Sequence, residues 1–200
     1  MTDWYRNTDW SDSIALDFDT RLARSRGQQA QYLTLQGQAL IPAHPDVAAV
    51  LLARAVAMDD EFQTVRALAF LAQARLALAD VTGALEAYEE GLTRQLAQPN
   101  IVAVQPADYL FVIGYFRRED RLADALQIAE AMPDDGLFGP DPQITAAKAM
   151  VFDLAGRAEQ AKSAAALALP LLDELGEGEA LGVNLAELRS RLMEIAERAA

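Results

Sequence analysis

Apolar residues recur at three- and four-residue spacing along almost the whole chain, the period of amphipathic helices and not of strands. The pattern predicts helices at roughly 12–25, 28–41, 46–58, 62–79, 83–97, 106–117, 121–132, 142–155, 158–174 and 183–198. The breaks carry recognisable chemistry. Pro45, after His44, stands in a helix's first turn, where its missing N–H costs nothing. Asn100 after Pro99 ends another helix, and Pro133–Gly136 with Gly139–Pro142 bounds the most loop-like segment. Gly156 stands where a helix end calls for a left-handed residue. Gly176, Gly178 and Gly182 set off a last helix, and Pro170 either kinks or splits the one before it.

Short connections make successive helices antiparallel hairpins, so internal repeats are the next thing to look for. In ALADVTGALEAYEEGL, residues 77–92, the break Asp80–Val81–Thr82–Gly83 is followed by a small residue, Ala84, and four later by an aromatic, Tyr88. Related layouts surround Ala48, Ala125 and Ala161, giving alanines 36, 41 and 36 residues apart. A small residue here lets the two helices of a hairpin approach closely. Leu185, Leu188, Leu192 and Ile195 lie on one side of the final helix, whose other side is charged, as suits a terminal cap.

This layout resembles the tetratricopeptide (TPR) repeat, of period about 34 residues. The segment LAQARLALADVTGALEAYEEGL carries it best, with Leu71–Ala72, Ala84, Tyr88 and Gly91–Leu92 at the signature positions. There are departures: Gln36 and Ile113 stand where a small residue is expected, and Thr145 and Lys148 where large apolar ones are. Extra residues, QPNIVAVQP, precede the third repeat, and no terminal proline is in register. The implied fold is all-α: a right-handed α-solenoid of about four hairpins over 28–174. An N-terminal aromatic segment and helix (1–27) precede them and a capping helix (183–200) follows, in a single domain. A generic α-solenoid or irregular helical bundle is the alternative.

The resemblance further implies a groove lined by the first helix of each hairpin. Its expected contact residues are Leu33, Gly37, Arg66, Ala69, Gln73, Leu110, Gly114, Arg117, Gln143 and Met150. Gly37 and Gly114 either leave room for a ligand backbone or let helices pack closely. The Lys/Asn clamp with which some chaperone-binding relatives hold a C-terminal carboxylate is missing from these positions. The mixed apolar and polar set suits an amphipathic helix or an extended peptide.

Composition narrows the chemistry. Of 200 residues 52% are hydrophobic, mostly Ala and Leu, which excludes global disorder. Without cysteine there is no disulfide, thiolate nucleophile or Cys-based zinc site. The lone histidine, His44, beside a turn, reads as structural or exposed. No phosphate loop, nucleophile elbow or calcium-loop spacing is found, and the acidic clusters Asp59–Glu61 and Asp134–Asp135 read as caps and solvated turns. The expectation is a protein that is not an enzyme and needs no cofactor or metal. Net charge is −13, spread as −5 over residues 1–100 and −8 over 101–200, which disfavours nucleic acid and anionic membranes. No signal peptide or membrane span is read, so a cytoplasmic setting is expected.

Two functions fit. One is a protein–protein interaction module holding a partner's peptide or helix. The other is an acidic, immunity-like inhibitor neutralising a basic partner; the charge also serves plain solubility. Trp4 and Trp10 in the opening DWYRNTDW either staple the first helix to the stack or anchor a partner or a second copy in a homodimer.

Overall fold

A computed structural model describes residues 3–98, 100–136, 139–175, 179–180 and 182–198. Ten α-helices run through the described residues: α1 Asp12–Arg24, α2 Gln29–Leu40, α3 Pro45–Ala57, α4 Thr64–Ala77, α5 Val81–Ala97, α6 Pro106–Tyr115, α7 Leu122–Ala131, α8 Pro142–Leu154, α9 Ala158–Glu174 and α10 Leu185–Glu197. Each falls on a helix read from the periodicity. Two antiparallel ladders of two residues per strand were not anticipated: β1 Asp135–Gly136 with β2 Gly139–Pro140, and β3 Glu179–Ala180 with β4 Val183–Asn184. Helix α9 continues through Pro170. Pro99, Gly176 and Gly178, given roles above, lie outside the described residues. No helix among the described residues is long and apolar enough to cross a membrane.

Internal contacts divide the chain into two compact units, Met1–Gln105 and Pro106–Ala200. In the first, α2, α3, α4 and α5 each pack on the next, and α2 also meets α4. In the second, α8 packs with α6, α7, α9 and α10. Adjacent pairing of this kind is compatible with a helical repeat.

One turn recurs. After α4, α6 and α8 the chain enters the left-handed region at Ala79 (φ 60°), Arg117 (φ 51°) and Gly156 (φ 69°), 38 and 39 residues apart. The following amide then bonds back five residues: Asp80 to the Arg75 carbonyl at 2.9 Å, Arg118 to Ile113 at 2.9 Å and Arg157 to Phe152 at 2.8 Å. This is the Schellman closure, which satisfies carbonyls the helix leaves bare and reverses the chain. At the first of these turns, the Asp80 carboxylate accepts from the Gly83 amide at 2.9 Å and caps α5. A β-carbon on Gly83 would stand 2.2 Å from that carboxylate, so glycine is what lets the cap form. Helix α5 therefore begins at Val81, two residues before the predicted start, and the break shrinks to Leu78–Asp80.

Small residues set the helix spacing. Ala48, Ala84, Ala125 and Ala161, the four repeat alanines, are all buried. Gly91 of α5 faces Val104, whose methyl would lie 2.6 Å from an added β-carbon. The segment of extra residues thus folds back to fill that notch. Gln95 holds it there: its side-chain oxygen accepts from Ala103 and Val104, and its amide donates to the Val104 carbonyl at 3.1 Å.

The turn chemistry yields an opposed pair of mutants. Nothing lies within 4 Å of a β-carbon placed on Gly156, so Gly156→Ala pays only for its left-handed backbone. It should lose about 1 kcal/mol in urea unfolding, whereas Ala79→Gly should gain roughly 0.5–1 kcal/mol.

Candidate partner-binding surfaces

The ten expected contact residues separate by burial. Arg66, Gln73 and Arg117 are exposed and Gln143 is half-buried. Leu33, Gly37, Ala69, Leu110, Gly114 and Met150 are buried, their surface taken up by packing within the chain and not by an open groove wall. Register explains the first unit. On α2 the outward positions are Gln31 and Gln38, and Leu33 and Gly37 lie on other faces. Gly37 is a packing glycine, since its β-carbon would stand 2.6 Å from Leu52 Cγ of α3. On α4, Arg66, Phe70 and Gln73 follow at helical spacing and form one ridge, with Phe70 half-buried between its exposed neighbours.

Leu33 nevertheless reaches a cleft. A concavity of about 520 Å³ lies between α1, α2 and α3, lined by Leu22, Ala23, Leu33, Ala57 and Met58, with Gln29 at its side. Asp19 and Arg54 also line it and pair at 3.0 Å. Ala23, Ala57 and Met58 are exposed, so apolar surface is open to an incoming group. The cleft exists because α1 touches α2 over only a short stretch, where the Gln29 side chain donates to the Leu22 carbonyl at 3.0 Å.

In the second unit the reason for burial is different. Every residue from Thr145 to Phe152 of α8 is buried, so this helix is a core element packed on several sides. Gly114 lets α6 approach it: an added β-carbon would stand 2.6 Å from Met150 Cβ and 3.3 Å from main-chain atoms of Met150 and Val151. The two departures from the repeat signature are satisfied locally. Thr145 Oγ1 donates to the Asp141 carbonyl at 2.9 Å. Lys148 Nζ donates to the Met132 carbonyl at 2.8 Å and to Asp134 at 2.5 Å, tying the loop after α7 to α8. Lys148 also borders a cleft of about 330 Å³ with Phe152, Gln160, Ser163 and Leu167.

Gln143 is engaged within the chain. Its side-chain amide donates to the Asp108 carboxylate, joining the first turns of α8 and α6. Burial pushes the Asp108 carboxyl above the ordinary carboxylate range; the Gln143 bond pulls it down, and Asp141 adds to the rise. Arg117 lies 3.5 Å from Asp153, which also pairs with Arg198. Arg191 of α10 donates to the Gly114 and Tyr115 carbonyls at 2.8 and 2.7 Å and so caps α6. Among the described residues, no group of three or more His, Asp or Glu side chains is placed to hold a metal ion.

Trp4 and Trp10 are half-buried. Trp4 contacts Tyr5, Phe18 and Tyr32, with ring centroids 4.9–5.5 Å apart, and Trp10 meets Phe18 at 5.7 Å. Gln36, unexplained as a repeat residue, is fully buried and bonds Asn7 of this same segment. His44 Nε2 stands 3.4 Å from Asp9. Gln36, Lys148 and Arg191 were not singled out as functional. The only sequence signal for the first two was their misfit to the repeat, and Arg191 gave none.

Comparison with protein families, with curated proteins and with solved structures finds no match to this chain.

Two predictions test these assignments. Gly114→Ala drives a methyl into the main chain of α8 and should cost roughly 1–3 kcal/mol. Gly37→Ala meets the Leu52 side chain rather than main-chain atoms and should cost less in the same denaturant titration. Asp108 holds its proton more tightly folded than unfolded. Its favourable contribution is therefore complete below the unfolded pKa, near 3.9, and lost as pH rises through the folded value. Asp108→Asn, which keeps an acceptor for Gln143, should gain melting temperature relative to wild type as pH goes from about 4 to 7.

Proposed function

We propose that this chain is a TPR-like helical repeat protein with no catalytic role, an interaction module that holds a peptide or helix of a partner protein. The observation carrying this reading is the cleft between α1, α2 and α3, where exposed Ala23, Ala57 and Met58 surround a buried Leu33 beside the Asp19–Arg54 pair. An apolar floor with a few fixed polar groups at its side takes one or two side chains of a partner and orients them. The α4 ridge of Arg66, Phe70 and Gln73 is the second surface of the same unit that fits this role. The recurring turn after α4, α6 and α8 supports the repeat reading, because equivalent closures at near-equal spacing are what a stack of like hairpins needs.

The acidic balance favours a second reading, an inhibitor of a basic partner. Many basic side chains already have an acidic neighbour: Arg21 with Asp17, Arg54 with Asp19, Arg94 with Asp59 and Glu90, and Arg118 with Asp120. The unbalanced remainder of the −13 charge is therefore carboxylate, and it would steer a cationic protein toward this one.

Affinity capture with the full chain, washed at low and high salt, separates the readings. The interaction-module reading expects a stoichiometric partner that survives high salt and is lost, by roughly tenfold or more in affinity, on Ala23→Glu with Met58→Glu. Both sites are exposed, so far-UV circular dichroism should be unchanged. A basic partner held only at low salt and indifferent to those substitutions supports the inhibitor. No partner under either wash removes both.

A further inference from the structure

The opening segment is held on α2 as a ligand would be held. Gln36, with no exposed surface, turns its side-chain amide to one residue's main chain: Oε1 accepts from the Asn7 amide at 3.0 Å and Nε2 donates to the Asn7 carbonyl at 2.8 Å. The Asn7 side chain adds a bond to Gln36 Oε1 at 3.1 Å and one to the Trp4 carbonyl at 2.9 Å. An amide that pairs with both main-chain polar groups of one residue reads backbone and not sequence. Sequence is read beside it. Trp4 lies against Tyr32 and Phe18, Tyr5 against Tyr32, and Trp10 against Phe18. The segment itself is non-helical, with a turn closed by the Arg6 amide on the Asp3 carbonyl at 3.0 Å.

Gln95 makes the same amide pairing with Val104, but that segment is tethered at both ends and Val104 is fully buried. Residues 4–10 differ. They precede α1, lie in no helix, and both tryptophans keep part of their surface in water. Such a segment can leave without unmaking a helix hairpin.

We propose that Gln36, Tyr32 and Phe18 form a peptide-recognition site that the chain's own residues 4–10 fill in cis. The partner it fits is a non-helical segment carrying a tryptophan and, three residues on, a residue with a free backbone N–H and C=O. This site is distinct from the open cleft between α1, α2 and α3 and does not rest on that cleft binding anything. A tethered segment competes at an effective concentration of roughly millimolar, so the site stays closed to weak ligands and opens only to a segment that binds better or is presented at high local concentration.

The probe is a labelled synthetic peptide of residues 3–10, DWYRNTDW, titrated by fluorescence anisotropy against the full-length chain. Trp4→Ala with Asn7→Pro weakens the cis segment, the proline removing the N–H that Gln36 accepts. This variant should bind the peptide roughly tenfold or more tighter than wild type. Adding Gln36→Ala should reverse the gain, and the control peptide DAYRNTDA should bind neither form. Equal binding by wild type and the weakened variant, or binding that ignores Gln36→Ala, overturns the proposal. Should the variants fail to fold, hydrogen exchange on the unmutated chain decides. Millimolar DWYRNTDW should accelerate exchange of the Asn7 amide, and an unchanged rate overturns the proposal.

Discussion

The fold depends on ending a helix cleanly. A helix that stops leaves carbonyls without donors, and a chain built from short helices meets that cost again and again. Here the same closure serves α4, α6 and α8: one residue turns left-handed, and the next amide reaches back to the third carbonyl from the helix end. The direction of the following helix is set by that residue. Only one of the three turns uses glycine; Ala79 and Arg117 hold the left-handed conformation against steric preference because the packing of the helices on either side determines it.

Between those turns, closeness is achieved by leaving atoms out. The alanines at 48, 84, 125 and 161 and the glycines at 37, 91 and 114 lie where one helix meets another element, and the larger neighbours Leu52, Val104 and Met150 fill what they vacate. Longer polar side chains then fasten the pieces that no helix pattern holds. Gln36 and Gln95 pin irregular segments through their backbones, Lys148 pins the loop after α7, and Arg191 closes the end of α6.

Much of this was legible in the sequence because it is local. Helix positions follow from three- and four-residue periodicity, and the one-sided set Leu185, Leu188, Leu192 and Ile195 gave the buried face of α10 correctly. Gly156 announced its turn. What could not be read was which face of α6 and α8 would be outermost. A helix apolar on all sides gives periodicity nothing to point with, so Leu110 and Met150 passed for groove residues although both are wholly enclosed. On α2 the face assignment was out of register. The polar fasteners were visible only as misfits: Gln36 and Lys148 broke the repeat pattern, and their partners at Asn7 and Asp134 are fixed by tertiary geometry that spacing does not encode. Trp4 and Trp10 were legible as unusual, and the structure places both on Phe18.

The Arg191 cap also bears on the order in which the protein acquires its shape during synthesis. The α6 carbonyls it satisfies belong to residues 114 and 115, made 77 and 76 residues earlier. The first unit contains all of its own contacts by residue 105 and is free to settle on the ribosome. The second closes the end of α6 by its local turn but gains the Arg191 cap only once residue 191 has emerged. During that interval the nascent chain presents a folded first unit and a second that still lacks one long-range cap, and that window is when chaperones or proteases have most to recognise.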